Sequence, residues 1–365
     1  MNFTKSHYQI ALSFLFGFGP VKTRQLLQSV DEIEEIFLLS FTQLSRLTGF
    51  KVDILKKMNR DEALDKAVNV LKDLERFDID FVFYTDPQYP RRLKQCEDAP
   101  IVLYTRGKYD LNDTRFVAIV GTRDATDYGR KICQDLIESF RGTNIVVVSG
   151  MAYGIDITIH QLCIENGVDT IGVMAHGLEI VYPSLHRGTA KKMLSSGGLL
   201  SEYPPNTNPD RENFPMRNRI VAGLCDATIV VESKLKGGSL ITADLANDYN
   251  RDVFAFPGNV FDVCSEGCNQ LIAANKAHLV RNGLDFLTKM GWDLDVKNPV
   301  QKSIFPSLNV DEQLVVNALE FAGQKNIDML ATELNLPSSK LSVLLFQLEM
   351  NGVLKTLPGN RCQLV

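Results

Sequence analysis

The sequence has 365 residues, which at roughly 100 to 200 residues per domain is enough for two or three domains with at least one sizeable core. Hydrophobic residues make up 45% of the chain and charged residues 23%, and no apolar run approaches the roughly 20 residues that a membrane span needs, which excludes an integral membrane protein. The net charge of -5 excludes a generally basic surface, so a nucleic-acid site would have to be a local concentration of cations and backbone amides.

The elements, taken in chain order, predict three domains. Residues 1–77 carry apolar side chains at helical spacing, such as Ile10, Phe14 and Phe18, and predict a small helical domain. Residues 78–295 alternate short apolar runs with helical stretches, which predicts an α/β domain whose sheet is covered by helices on both faces. The predicted parallel strands are residues 81–84, 116–120, 145–149, 170–173, 227–231 and 253–256.

The end of the chain predicts a linker and a second small domain. Residues 296–310 are rich in Pro, Asn and Lys and predict the linker. Residues 311–365 predict three helices, at 311–321, 327–334 and 337–350, and a hairpin at 353–365 that turns at residues 358–360, which is the winged-helix order. Six acids against three lysines and one arginine give this domain a net charge of -2, so we expect a protein–protein role rather than duplex binding.

The cysteines and the start of the chain predict a cytoplasmic protein. Residues 1–10 lack a charged leader followed by an apolar core. The seven cysteines are odd in number and scattered, which favours free thiols in a reducing compartment over a disulfide framework.

The first turn of chemical interest is Gly121-Thr122-Arg123, which follows a predicted strand and precedes a helix predicted from about Asp127. Ligands of open parallel sheets bind at the carboxyl ends of strands, where glycine permits close approach and helix amino termini present amide donors. The turn therefore suits a phosphate group, with Arg123 supplying charge; an ordinary turn with a surface arginine is the alternative. A complete GxGxxG fingerprint is missing, so neither a dinucleotide nor any other cofactor is predicted.

A second turn, Ser149-Gly150, repeats this arrangement after the next predicted strand, and two such loops can face one crevice. Asp156 and His160 follow it on one face of a helix. For this pair, capping or a core hydrogen bond is a better interpretation than catalysis.

The third region, residues 212–220, combines an aromatic ring with cations and an amide: Phe214, Arg217, Asn218 and Arg219. An unpaired base could stack on Phe214, at roughly 1 to 3 kcal/mol per base, while the arginines contact the backbone. The alternative is a phenylalanine that anchors the core beside salt-bridged arginines.

The fourth loop follows the predicted strand 227–231 and contains Lys236, Gly237, Gly238 and Ser239. The glycines would let backbone amides meet an anion at the start of the next helix, with Ser239 as its N-cap; a flexible capped turn is the alternative. Anion donors recur at three strand ends and in one arginine-rich segment, and this recurrence favours a polynucleotide site.

No metal site and no catalytic residue is predicted. Cys264, Cys268 and His278 are too few to hold a metal ion without further ligands. The serines lack a GxSxG setting, and no HExxH or Walker A sequence is present.

Over about residues 81–280 the sequence resembles the DprA/Smf family of DNA-processing proteins. The motifs that carry the resemblance are Gly121-Thr122-Arg123, Ser149-Gly150, Gly154-Ile155-Asp156 with His160, Ser201-Glu202-Tyr203-Pro204-Pro205, Asn213-Phe214-Pro215 with Arg217-Asn218-Arg219-Ile220, Gly238-Ser239-Leu240-Ile241-Thr242-Ala243 and Pro257-Gly258. The resemblance implies an extended Rossmann-like, mostly parallel sheet between an N-terminal helical domain, similar to SAM or helix-hairpin-helix domains, and a winged helix. It also implies a homodimer that binds single-stranded DNA and passes it to the RecA recombinase during natural transformation, without catalysis and without a membrane.

The family's phosphate pocket maps by resemblance onto three loops: Gly121, Thr122, Arg123, Ser149, Gly150, Lys236, Gly238 and Ser239. Its stacking and backbone contacts map onto Phe214, Arg217 and Asn218. Tyr153 stands where many relatives have a basic residue, and His176 stands where small residues are common. These two departures put the electrostatic contribution of that rim in doubt.

Two glycine-containing segments near the N-terminus, residues 15–20 and 47–50, are similar to helix-hairpin-helix turns. Their amides could contact phosphate, or the glycines could simply close tight helical turns.

Two other functions compete with strand binding. A Rossmann-like nucleotide hydrolase with a PGGxGTxxE motif is superficially similar at Gly237-Gly238-Ser239, but Ile241 replaces the glycine before threonine, and Leu245 and Ala246 occupy the place of the glutamate. A small-nucleotide sensor could use the same phosphate pocket.

Overall fold

The computed structural model describes residues 3–112, 115–292, 309–320, 324–334, 336–350, 353–357 and 361–364. The chain divides into two compact units, residues 1–292 and 293–365, and each is described by itself. Residues 296–308 of the predicted linker lie outside the described residues. Within the described ranges, no helix combines the length and the apolar character that crossing a bilayer requires.

The first unit begins with helices, as the apolar spacing predicted. They are α1 to α6, at Lys5–Ala11, Pro20–Gln28, Glu35–Leu38, Phe41–Thr48, Val52–Leu55 and Arg60–Phe77, with 3-10 turns at Leu12–Phe14 and Lys56–Met58. The two predicted glycine turns connect helices here, and the rings of Phe18 and Phe50, one from each turn, lie 5.4 Å apart. These helices share one hydrophobic core with residues such as Phe83 and Tyr104 of the following strands. The domain boundary near residue 77 stays a prediction.

A nine-stranded sheet forms the centre of the first unit. Its strands β1 to β9 are Asp80–Phe83, Val102–Lys108, Arg115–Val120, Ile145–Ser149, Thr170–Met174, Gly197–Ser201, Ala227–Val230, Asp252–Ala255 and His278–Leu279. Their order is β1-β2-β6-β5-β4-β3-β7-β8-β9, and the pairs from β6 to β9 are parallel. The predicted mostly parallel α/β fold is confirmed.

Three strands and one strand direction were not predicted correctly. β1 was expected to be parallel, but β1 and β2 pair antiparallel, and β2 pairs antiparallel with β6. β2 was missed because it ends in charged residues, Arg106 and Lys108, at the edge of the apolar pattern. β6 was missed because it begins with Gly197 and Gly198, which resemble a turn, and β9 has only two residues.

Helices cover both faces of this sheet. They are α7 to α14, at Arg91–Lys94, Asp127–Phe140, Ile155–Asn166, Arg187–Met193, Asn213–Leu224, Gly238–Asp248, Glu266–Ala273 and Gly283–Lys289, with a 3-10 turn at Ser184–His186. Successive residues of β3 point to opposite faces, as pleating requires. Val117 and Ile119 pack in the core that includes α8, α9 and α14, while Phe116 and Ala118 pack in the core that includes α11 and α12.

The second unit follows the predicted order of three helices and a hairpin. Helices α15 to α17 are Val310–Glu320, Ile327–Glu333 and Ser338–Met350, and strands β10 to β12 are Gln324–Asn326, Leu354–Leu357 and Arg361–Leu364. β10 was not predicted, and the predicted turn at 358–360 lies outside the described residues. The apolar stripe of α17 is buried, and Lys340, its single cation, pairs with Asp311 at 2.5 Å.

Candidate nucleic-acid interface

The order of the strands creates a crevice at the carboxyl end of the sheet. From β3 the chain continues through β4, β5 and β6 on one side, whereas from β7 it continues to β8 and β9 on the other. Between two neighbouring strands whose chains leave in opposite directions, the loops diverge and a ligand can enter. The loops after β3, β4 and β7, together with the start of α11, line a cleft of about 310 Å³ at this point, which we call the anion cleft.

The turn after β3 is fixed by hydrogen bonds to the loop after β7. The Thr122 amide donates to the carbonyl oxygen of Glu232 at 2.8 Å. The buried Glu232 carboxylate accepts from the amide of Thr126 at 3.0 Å and from its hydroxyl at 2.5 Å. Thr126 is the N-cap of α8, which begins at Asp127 as predicted. The exposed Arg123 is therefore carried on a clamped turn rather than on a free loop.

Two glycines let the loop after β4 approach its neighbours closely. A Cβ atom on Gly150 would lie 2.4 Å from the Asp156 carboxylate and 2.5 Å from the Arg217 guanidinium. Gly154 has φ +75°, and a Cβ atom there would lie 2.2 Å from the Thr122 carbonyl oxygen. The next amide, of Ile155, donates to that same oxygen at 3.1 Å. The loops after β3 and β4 thus form one rigid wall of the cleft.

The loop after β7 supplies the opposite wall. Gly237 is the N-cap of α12, so the first amides of this helix, beginning at Gly238, lack intrahelical acceptors. The prediction that Ser239 caps the helix is wrong, because Ser239 lies inside the first turn and its hydroxyl donates to the Ser233 hydroxyl at 2.9 Å. Lys236 is exposed and lines the cleft.

Helix α11 contributes an aromatic ring and a buried cation. Phe214 is half-buried at the cleft edge, and Asn218 lies beside it. Arg217 is only 7% exposed; it donates to the Val173 carbonyl oxygen and, through Nε, to Asn218 Oδ1 at 3.3 Å. No carboxylate of the described residues lies within 4.0 Å of its guanidinium nitrogens, so Arg217 is a buried cation without an ion-pair partner.

Two of the predicted site residues lie elsewhere. Ser149 is fully buried, and its hydroxyl donates to the Ile119 carbonyl oxygen at 2.6 Å, which ties β4 to β3. Arg219 is buried on the far side of α11, where it bonds to the Glu202 carboxylate and the Asp98 carbonyl oxygen. Both side chains are engaged by the protein itself, so we leave them out of the proposed binding site. The other predicted site residues line the anion cleft: Gly121, Thr122, Arg123, Gly150, Phe214, Arg217, Asn218, Lys236, Gly237, Gly238 and Ser239.

Three charged residues of the cleft were not among the predicted site residues. Lys234 and Asp124 form an ion pair of 2.7 Å between the loops after β7 and β3, and this contact lowers the pKa of Asp124 and raises that of Lys234. Asp156 is buried in the wall, where burial raises the pKa of its carboxyl and nearby Arg217 opposes the shift. Proximity to Arg123 and Lys236 in the sequence was the available signal for Asp124 and Lys234.

The structural interpretation of His160 is confirmed. The ring is fully buried, with Nδ1 2.8 Å from the Thr170 hydroxyl and Nε2 2.6 Å from the Gly150 carbonyl oxygen. Burial lowers the pKa of His160 to about 4, so the neutral ring is a fixed part of the core beneath the cleft. Among the residues the structure describes, no group of three or more metal-ligating side chains occurs, and all seven cysteines are unpaired.

Comparisons with known proteins agree with this geometry. The family model described as DNA recombination-mediator protein A matches residues 80–291, and a model of the DprA winged helix domain matches residues 304–360. The chain is 35% identical over 292 residues to Protein Smf of Synechocystis, an alignment that covers 78% of this chain and 72% of that protein. It is 40% identical over 204 residues to the DNA processing protein DprA of Streptococcus pneumoniae, covering 56% of this chain and 72% of that protein.

Two solved structures show the same fold. The crystal structure of DprA from Streptococcus pneumoniae superposes with a TM-score of 0.65 and 31% identity, over 79% of this chain and 99% of that one. The structure of DprA from Helicobacter pylori, whose description concerns its single-stranded DNA binding mode, superposes with a TM-score of 0.54 and 29% identity, over 60% of this chain and 97% of that one. The matched residues include every loop of the anion cleft, and the chain therefore belongs to the DprA/Smf family of DNA processing proteins.

Proposed function

We propose that this protein binds single-stranded DNA in the anion cleft and passes the strand to the RecA recombinase during natural transformation, as a binder and not as an enzyme. The residues proposed to contact the strand are the eleven predicted residues that line the cleft together with Lys234. Single-stranded DNA is the ligand named for the related Helicobacter pylori protein.

The observation that carries this proposal is the unpaired charge of Arg217. An ionised side chain that leaves water loses several kcal/mol of hydration unless an opposite charge compensates it. The guanidinium is 93% buried on its open side of the sheet, and its protein partners are neutral oxygens. An anion in the cleft would supply the missing charge, and a phosphate group also matches the planar donor fork of arginine.

Phe214 favours a polynucleotide over a free anion. The half-buried ring stands beside Arg217 and Asn218 at the cleft edge. Stacking on an aromatic ring requires a base whose face is free, which single strands offer and duplexes do not. A ring beside phosphate donors therefore fits an unpaired strand, with cations on its backbone and a base on the ring.

The homodimer and the contact with RecA are further parts of the proposal and rest on the family resemblance. One observation supports self-association: Val260, Phe261 and Val263, in the loop after β8, are 72%, 93% and 55% exposed. Adjacent exposed apolar side chains are typical of surfaces that bind another protein.

The length of the bound strand tests the function. We expect the affinity measured by fluorescence anisotropy to rise from a mononucleotide to longer thymidine oligomers, and to exceed the affinity for a duplex of equal length at the same ionic strength. Each phosphate contacted should add about -0.7 to the slope of log K against log salt. Saturation with a mononucleotide would instead support a nucleotide sensor, and release of free base from nucleoside monophosphates would support a hydrolase.

A further inference from the structure

A second cavity, of about 500 Å³, adjoins the anion cleft. We call it the tyrosine cavity because Tyr153 and Tyr182 form its outer walls. The cavity and the cleft share five lining residues: Arg123, Ala152, Phe214, Pro215 and Arg217. A ligand whose phosphate lies in the anion cleft therefore has the tyrosine cavity directly beside it, across Phe214.

The walls of the tyrosine cavity are partly exposed aromatic rings. Tyr153 is 48% exposed and Tyr182 is 50% exposed. Neighbouring rings hold both: Tyr182 lies 6.0 Å from Phe214 at an interplanar angle of 56°, and Tyr153 packs edge-on against His186 at 5.1 Å. In the described part of the chain, neither tyrosine hydroxyl has a hydrogen-bond partner. Both rings are thus held in place while a face and a polar tip stay available, which suits a planar ligand with polar edges.

The floor of the cavity is apolar, unlike that of the anion cleft. Met151, Val173, Met174 and Ala175 are all buried there. His176, also buried, has Nδ1 2.9 Å from the Gly177 carbonyl oxygen, and burial lowers its pKa, so its ring is neutral. A phosphate would lose its hydration over such a floor without compensation, whereas an uncharged aromatic ring gains by leaving water.

We propose that the tyrosine cavity holds an unpaired base of the strand whose phosphate occupies the anion cleft, with the base between the rings of Tyr153, Tyr182 and Phe214. This inference rests on the proposed function and adds a base-binding subsite to it. The cations of the arrangement lie at the shared rim, at Arg123 and Arg217, where they face the backbone. The neutral aromatic part lies behind them, in the order in which a nucleotide presents phosphate and base.

Abasic DNA tests the subsite separately from the phosphate contacts. The full-length protein is titrated, by fluorescence anisotropy, with a thymidine oligomer and with an oligomer of equal length that carries the sugar-phosphate backbone without bases. We expect Tyr153→Ala/Tyr182→Ala to weaken binding of the thymidine oligomer at least about fivefold, the lower end of what one stacked base contributes, and to leave binding of the abasic oligomer within about twofold. The matched variant Tyr153→Phe/Tyr182→Phe keeps the rings and should bind the thymidine oligomer like the wild type.

Two results would overturn the subsite. Equal weakening on both oligomers would show that the tyrosines support the fold or the backbone contacts, and unchanged affinity for the thymidine oligomer would show that no base enters the cavity. In both cases wild-type binding to the two oligomers leaves the function of the anion cleft intact. If the wild type binds neither oligomer, the proposed function fails, and the subsite fails with it.

Discussion

Replacing Arg217 by Met separates the two consequences of a buried, unpaired cation. Apolar replacement of buried ionic groups is often neutral or stabilising by about 1 to 4 kcal/mol. The lost bond to the Val173 carbonyl oxygen costs about 1 to 3 kcal/mol in the other direction. We therefore expect the free energy of unfolding of Arg217→Met to stay within about 2 kcal/mol of the wild type. Strand binding should weaken about 10- to 150-fold, the equivalent of a charge-assisted bond of about 1.5 to 3 kcal/mol.

The assay combines urea unfolding with anisotropy titration of a thymidine oligomer. At an oligomer concentration about 100 times the wild-type Kd, binding should stabilise the wild type by about 2.7 kcal/mol, and a variant that binds tenfold more weakly by about 1.4 kcal/mol. The difference is measurable in the same unfolding experiment, with and without the oligomer.

Arg219→Met is the matched control, two residues along the same helix. Arg219 is buried to a similar degree, but it pairs with the buried Glu202 carboxylate. Removing it leaves that carboxylate uncompensated, which typically costs about 3 to 5 kcal/mol, while the folded fraction should bind the oligomer normally. The reasoning is refuted if Arg217→Met loses as much stability as Arg219→Met and binds DNA like the wild type.

Three further predictions concern the cleft and its support. Arg123→Ala should weaken oligomer binding and make the slope of log K against log salt shallower by about 0.7, whereas Phe214→Ala should weaken binding without changing the slope; equal slopes for both variants would contradict these roles. Gly154→Ala should lower the free energy of unfolding by more than about 1 kcal/mol and weaken binding, because φ is +75° and the new Cβ would strike the Thr122 carbonyl oxygen; a neutral urea curve would argue against this. Because burial lowers the pKa of His160 to about 4 from 6.5, the unfolded state binds the proton first on acidification, so stability should fall between about pH 6.5 and 4, by about 2 kcal/mol from pH 7 to 5. A His160→Asn variant, compared by urea unfolding at both pH values, should lose most of that difference.

Local patterns were sufficient for the strands at the centre of the sheet. β4 spans Ile145–Ser149 as predicted, because a strand buried on both faces is a continuous apolar run with sharp ends. β2 and β6 were missed for the converse reason: their charged and glycine-rich ends satisfy the edge of a sheet, where burial is incomplete and the apolar signal fades. The three helices and the hairpin of the second unit were also predictable, since each element has its own apolar stripe and its own turn.

The sequence by itself determined that glycines, hydroxyls and cations follow three strands of a mostly parallel sheet, because the carboxyl ends of parallel strands share one edge. It could not separate Arg217 from Arg219, which are two residues apart and chemically identical. Only the tertiary structure decided that Arg219 meets the Glu202 carboxylate while Arg217 meets neutral oxygens at the cleft. The partners come from β5 and β6, strands distant in sequence from α11, and whether a buried charge is compensated depends on such long-range neighbours and not on the local pattern.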